Sequence, residues 1–215
     1  MEKIVVLGGG GHASNVIDLI LNEQEVFEVI GVLDPFAKDD ILGIPVIGDD
    51  SKLAELKSHG IRYAFPGVGF GEKTNNSLRK TIFEKIKEHE FEIPNLVSNR
   101  AFVRSEVKMG EGNLIQAGTV IDTRAELGSN IAIGFHVLIG HNCVIEDHVT
   151  FSGGVILNAG VRVGEGTFLG MGSILYRDAG IWSKISPGTA CLKPVPEGKI
   201  AFGDPVKFLP NLQFK

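Results

Sequence analysis

From Val103 onward a large apolar residue returns every six positions: Val103, Met109, Ile115, Ile121, Leu127, Ile133, Ile139, Ile145, Phe151, Leu157, Val163, Leu169, Leu175 and Ile181. Two residues before most of these stands a small or β-branched residue, among them Thr119, Ala125, Cys143, Val149, Val155, Val161 and Thr167. The residue after is often glycine, as at Gly110, Gly128, Gly134, Gly140, Gly164 and Gly170. A six-residue unit is too short to enclose its own apolar side chains, so each unit must stack on another. Each then supplies a short strand and a turn, with one large and one small side chain pointing inward. The expected architecture is a parallel β-helix.

The first part of the chain has a different period. Short apolar runs ("KIVVLG", "FEVIGVLD", "RYAFPGVG") alternate with amphipathic segments ("ASNVIDLILNEQ", "NNSLRKTIFEKIKEHE"), as strands and helices do in βαβ units. In the last segment Leu78, Ile82, Phe83 and Ile86 recur at helical spacing, which predicts a helix packed on a sheet with Arg79, Lys80, Lys85 and Glu88 on its other face. The expected division is therefore an α/β, Rossmann-like domain over residues 1–97, followed by the β-helix and a C-terminal tail over residues 98–215. The spacing Gly8-x-Gly10-x-x-Ala13, after a strand and before a helix, suits a phosphate at a helix N-terminus. Asp34, at the end of the second strand, would complete a dinucleotide-binding pattern by gripping a ribose hydroxyl. Against that pattern, the α/β part fills less than half of the chain before the β-helix begins.

Composition narrows the partners. With 26 acidic against 21 basic side chains the net charge is -5, and no basic run interleaved with aromatics is present, so nucleic acid is not an expected partner. No apolar stretch approaches the roughly 20 residues that span a bilayer, and Met1-Glu2-Lys3 runs directly into a strand-like segment. A cytoplasmic protein without membrane contact is expected. The two cysteines, Cys143 and Cys191, lack the number and spacing of a disulfide framework and are expected to be buried thiols.

The segments "VLGGGGHA", "IPNLVSNRAFV", "IGHNCVI" and "GKIAFGDPVKFL", in this order around the hexads, resemble the sugar O/N-acetyltransferases of the hexapeptide-repeat class. That family is typified by bacillosamine and perosamine N-acetyltransferases and sialic acid O-acetyltransferases. The resemblance implies a left-handed β-helix with three hexads per coil, acetyl-CoA as co-substrate, and a homotrimer with coenzyme A between neighbouring β-helices. It implies that the first domain holds a nucleotide sugar through Gly8, Gly10, His12 and Asp34, with His12 facing the sugar. Gly69, within "PGVGF" (residues 66 to 70), belongs to a third binding loop, although Phe70 stands where relatives carry a polar residue. Without the resemblance, His12 would be a solvent-facing residue at a helix start.

The chemistry implied is acetyl transfer, which needs a nucleophile, a base for its proton and a donor for the oxyanion. Of the six histidines, His59 and His89 lie in polar helix ends. His141 falls two residues after the inward Ile139, at a corner of the coil, and matches the family's catalytic base. One coil later, the Ala159 amide is the implied oxyanion donor. The resemblance puts Met171, Arg177, Lys193 and Lys207 near coenzyme A, the last in "FGDPVK", where Val206 replaces the family's alanine.

Asn142 stands where relatives carry an acidic partner for the histidine, so a carboxylate from elsewhere (Asp122, Glu146 or Asp147) is the alternative support for the ring. Gly134 and Thr150 also stand where some relatives carry polar groups. His136 and His141 have a spacing seen in zinc enzymes on the same scaffold, but the place of a third ligand, 36 residues before His136, is Arg100, so no metal is expected. His136 and His148 are then cleft-edge or surface residues. The implied activity is acetyl-CoA-dependent N-acetylation of a nucleotide-linked 4-amino-4,6-dideoxy sugar for a surface glycan. The alternatives are O-acetylation of a sialic acid or related sugar, and a non-catalytic nucleotide-sugar-binding relative.

Overall fold

The computed structural model describes residues 1–69, 76–203 and 207–210. The chain forms two compact units, one of Met1–Gly71 with Ser77–Leu96 and a second that runs from Val97. The first unit is built on a four-stranded parallel sheet in the order β3-β2-β1-β4, with β1 Glu2–Leu7, β2 Phe27–Leu33, β3 Val46–Gly48 and β4 Tyr63–Pro66. Ile4, Val5 and Val6 in the central strand are fully buried, as expected of a parallel strand covered on both faces. Helix α1 (Gly11–Glu23) buries Ala13, Val16, Ile17, Leu19 and Ile20. The short strand β3 and the one-and-a-half-turn helix α2 (Leu53–Ser58) are additions to the elements expected from the sequence.

Helix α3 (Asn76–Glu88) forms where its periodicity predicts, but with its faces set differently. Its inward stripe is Arg79, Phe83 and Ile86, while Leu78 is 38% exposed. Arg79, expected on the solvent face, is 1% exposed. The cause lies outside the helix, in backbone carbonyls that the loop after β4 presents to the guanidinium.

The second unit is a left-handed β-helix whose chain visits three faces in turn. One face stacks Phe102–Val103, Val120–Ile121, Leu138–Ile139, Ile156–Leu157, Ile174–Leu175 and Ala190–Cys191. The next stacks Lys108–Met109, Glu126–Leu127, Val144–Ile145 and Arg162–Val163. The third carries Leu114–Ile115, Ala132–Ile133, Thr150–Phe151, Phe168–Leu169 and Lys184–Ile185, and ends in the antiparallel pair Lys199–Phe202 and Lys207–Pro210. Parallel pairing links each strand to the one eighteen residues on, as in Leu138↔Ile156 and Ile139↔Leu157. The large hexad residues from Ile115 to Leu175 all lie in the core, and the small ones two positions earlier, Ala125, Cys143 and Val149 among them, fill it between them.

The register breaks after Leu175. Val163 pairs with Ala179, sixteen residues on, and Leu175 with Cys191, again sixteen. The corner between Leu175 and Ala179 is two residues short, so Ala179 takes the inward place and Ile181, the last expected core residue, is only half-buried. From Gly112 to Gly172 each corner turns through a residue of positive φ. Glycine supplies it at Gly112 and Gly118 and again at Gly154, Gly160, Gly166 and Gly172, whereas Arg124, Asn130, His136, Asn142 and His148 supply it in between, with φ from 56° to 61°.

Burial also fixes the thiols. Cys143 and Cys191 are free and fully buried, and burial raises the pKa of both, that of Cys191 to about 11. Among the described residues no helix is long and apolar enough to cross a membrane. Leu157 lies between Ile139 and Leu175 in the middle of the stack. Leu157→Ala is expected to cost about 2–5 kcal/mol, read from a urea unfolding curve, against about 0.5 kcal/mol or less for the surface change Glu126→Ala.

Candidate functional site

In the first unit the glycine run divides into two kinds of position. Gly8 has φ +110, and a Cβ there would lie 2.6 Å from Val68 Cγ1, so this residue must be glycine for the loop to close. Gly10 and Gly11, at the start of α1, face open space: a Cβ on either would meet nothing within 4 Å. The helix has no side-chain cap and no acidic residue in its first turn, which leaves its N-terminal amides and the positive end of its dipole for an incoming anion.

Asp34 is less available than the sequence suggests. Its Oδ2 accepts from the Gly9 amide at 2.6 Å, and its Oδ1 accepts from the amides of Phe36 and Ala37, both at 2.8 Å. Burial opposes its ionisation, but these three donors outweigh it and the pKa is lowered. The carboxylate thus serves first as the brace between the glycine loop and the turn after β2. It also lines a largely apolar cavity of about 310 Å³ with Leu7, Pro35, Phe36, Leu78 and Ile82, at whose edge Lys85 pairs with Asp50.

His12 is not a solvent-facing residue. Its ring rests on Gly69, where a Cβ would lie 2.8 Å from His12 Cγ, and its Nε2 is enclosed with no hydrogen bond among the described residues. Burial, and next the charge of Arg79, lowers its pKa to about 3, so the ring is neutral at any physiological pH. Arg79 itself is pushed down to about 9 by burial and stays cationic there. Phe70 lies outside the described residues.

In the second unit His141 and Asn142 form the exposed corner after Leu138–Ile139. Asn142 Nδ2 lies 2.8 Å from His141 Nδ1. Asn142 occupies the positive-φ place of this corner (φ 58), a conformation asparagine adopts more readily than most residues. The side-chain amide also fixes the ring. When it presents its oxygen to Nδ1–H, the imidazole Nε2 is left free to accept a proton.

The coil above completes the corner. Gly160 N donates to His141 O at 2.8 Å, and a Cβ on Gly140 would lie 2.7 Å from Ala159 N, so the Ala159 amide sits against the His141 turn. The amide of Ala159 makes no hydrogen bond among the described residues. The same column continues upward through Arg177, eighteen residues after Ala159, and Lys193, sixteen after Arg177, since Leu175 pairs with Cys191. At about 4.8 Å per coil, these exposed cations stand two and three coils above His141.

The remaining expectations fall elsewhere. Met171 is 66% exposed on the corner that follows the third face, a different edge of the prism, and Lys207 lies on the antiparallel edge strand. The structure does not bring either to the His141 column. Residues 204–206, including Val206, lie outside the described residues. Of the three carboxylates considered for His141, Glu146 is held by Arg162 and the Glu165 amide, and Asp147 accepts from Ser129 N; both belong to the next corner along. Asp122 shares the His141 corner one coil below, where it accepts from Thr123 N and pairs with Arg104. His148, expected at a cleft edge or the surface, is 7% exposed with its Nδ1 2.9 Å from Asn130 Nδ2, because residue 130 stacks directly beneath it.

Comparison with known proteins gives the frame for these residues. Residues 3–86 match the model of the PglD N-terminal domain. Perosamine N-acetyltransferase PerB from Caulobacter crescentus, solved in complex with CoA and GDP-perosamine, is 29% identical, with a TM-score of 0.88 over 97% of this chain and 98% of that one. A histidine-to-asparagine variant of the Caulobacter crescentus enzyme, with the same ligands, superposes with a TM-score of 0.90 at 28% identity over 97% of each chain. The acetyltransferase domain of PglB from Neisseria gonorrhoeae shares the fold at 24% identity, with a TM-score of 0.85 over 97% of this chain and all of the other. No curated protein matches the chain significantly. With a PglD-type domain over residues 3–86 ahead of a left-handed β-helix, the chain is similar along 97% of its length to hexapeptide-repeat sugar N-acetyltransferases.

Proposed function

We propose that this protein transfers the acetyl group of acetyl-CoA to the amine of a nucleotide-linked 4-amino-4,6-dideoxy sugar, with His141 as the base. The observation that carries this reading is the column at one corner of the β-helix: the His141–Asn142 pair, the Ala159 amide against it, and Arg177 and Lys193 above. The relative solved with CoA and GDP-perosamine supports the substrate classes.

The neutral amine attacks the thioester carbonyl carbon, forming the C–N bond, while the amine proton passes to His141 Nε2. The tetrahedral oxyanion takes the hydrogen bond of the Ala159 amide. Collapse breaks the C–S bond, and the imidazolium returns its proton to the departing sulfur, so free coenzyme A leaves and no acyl-enzyme forms. Both cysteines are buried with raised pKa, which fits a route without a thiolate nucleophile. In this reading Arg177 and Lys193 take phosphates of coenzyme A. In the first unit, the amides at the start of α1 take the diphosphate and the apolar cavity beside Asp34 takes the base.

Asn142 favours amine over hydroxyl acceptors. An amide orients the ring but gives an imidazolium no counter-charge, and a neutral amine needs less help from its base than a hydroxyl does. The assembly we propose is a homotrimer. The face that leads into the His141 corner presents Phe102, Leu138, Ile156 and Ile174 outward at 54%, 42%, 38% and 41% exposure, an apolar row suited to a second copy.

The test of the activity is release of coenzyme A thiol from acetyl-CoA across UDP-, dTDP- and GDP-linked 4-amino sugars. His141→Ala is expected to lower kcat about 10²–10⁴-fold; an unchanged kcat would remove His141 from the reaction. Asn142→Asp is expected to keep the amine as substrate and to raise the rate by stabilising the imidazolium, measured in the same assay; a rate loss would mean that the amide itself is part of the working site. Ile156→Glu is expected to shift the particle to monomers in light scattering and to abolish turnover, and a trimer that survives the change would clear this face of the interface.

A further inference from the structure

Among the described residues of the first unit, Arg79 is the one large charged side chain turned fully inward. A buried guanidinium is tolerated only where its donors find acceptors. Its Nη1 donates to Pro66 O at 3.1 Å and to Val68 O at 3.0 Å, and its Cζ stands 5.8 Å from the centre of the Phe65 ring. These two carbonyls flank Gly67, whose own amide donates to Leu7 O at 2.6 Å. A Cβ on Gly67 would lie 2.6 Å from Val6 Cγ1 and 2.8 Å from Gly8 O. The loop after β4 is therefore clamped between the end of β1 on one side and Arg79 on the other.

The clamp reaches the ligand side through two contacts. Val68 Cγ1 closes on Gly8, and Gly69, the next residue, is the surface on which the His12 ring rests. His12 Nε2 is enclosed and makes no hydrogen bond among the described residues, an arrangement costly for a buried polar atom unless a ligand completes it. Any shift of the loop moves this ring, because Gly69 leaves no clearance for it.

We propose that Arg79 is a positioning residue for nucleotide-sugar binding: by bridging the carbonyls on either side of Gly67 it fixes the loop beneath His12, and through that ring it sets how tightly the sugar end of the ligand is held. This rests on the reading that the first unit binds a nucleotide sugar. It adds that the selectivity for the sugar-bearing ligand over the bare nucleotide is built from α3, an element with no direct part in the chemistry.

The test compares Arg79→Met and Arg79→Lys with the parent. Steady-state kinetics give KM for the nucleotide amino sugar and for acetyl-CoA, and calorimetry gives Kd for the matching nucleoside diphosphate. In Arg79→Met, KM for the nucleotide sugar is expected to rise more than tenfold, while Kd for the nucleoside diphosphate and KM for acetyl-CoA stay within about threefold. Arg79→Lys keeps the charge but not the two-carbonyl bridge, and is expected to fall between. Gly69→Ala, which leaves Arg79 in place and presses on His12 Cγ, is expected to give the same split.

An unchanged KM for the nucleotide sugar in a variant shown to be folded by circular dichroism would overturn the proposal. So would a parallel loss of nucleoside diphosphate and nucleotide sugar affinity, which is the mark of a merely damaged domain. If Arg79→Met does not fold, Arg79→Lys and Gly69→Ala carry the comparison. If the parent binds no UDP, dTDP or GDP, the functional reading fails and this proposal with it, whereas parent binding with unaffected variants sinks the role of Arg79 alone.

Discussion

Backbone hydrogen bonding between successive coils is the constraint on which the second unit depends. Each two-residue strand bonds to the strand of the next coil, so a residue's neighbours along the axis are set by counting and not by proximity in sequence. Cross-coil bonds are local in geometry but far apart along the chain, and they hold each corner at a fixed height. The catalytic candidate needs that rigidity, since His141 is exposed. Its ring is oriented by Asn142, and its backbone is bonded to Gly160 in the coil above. Preorganisation here comes from the scaffold's ladder more than from a packed pocket.

The first unit solves a different problem by different means. It has no repeating ladder around its loops, and the glycine run is held by individual contacts: Asp34 to the Gly9 amide, Gly67 to Leu7, and Arg79 to the carbonyls of Pro66 and Val68. Each is a buried or half-buried polar contact that compensates for the burial of its partner. Such contacts specify geometry more than they stabilise the fold.

Much of this was legible in the sequence. A six-residue period of apolar side chains has few physical solutions, and the core from Ile115 to Leu175 follows from it directly. The corner that carries His141 follows as well, because it is fixed relative to Ile139. What periodicity could not show was the shortening after Leu175. Ile181 happens to be apolar and in phase, while the inward residue is Ala179, which carries little signal of its own. Met171 fell on another edge because corner identity depends on position modulo three hexads, which the repeat alone does not label. His148 is buried because Asn130 lies beneath it, and Arg79 is buried because carbonyls thirteen and eleven residues earlier receive it. These are pairings between distant positions, and residue type at one of them does not reveal the other.

The corners of positive φ carry a further consequence. Glycine turns the corners at Gly112 and Gly118 and again from Gly154 to Gly172, but the five consecutive corners from 124 to 148 are turned by arginine, asparagine and histidine, and Trp182 turns a later one. A side chain in that conformation raises the backbone energy by about 1 kcal/mol or more, less for asparagine. Most of that cost is gathered into the coils on either side of His141. From Gly154 to Gly172 the chain returns to the residue that turns freely. Backbone ease and side-chain chemistry compete for the same positions, and the run from Arg124 to His148 is where the side chains have prevailed.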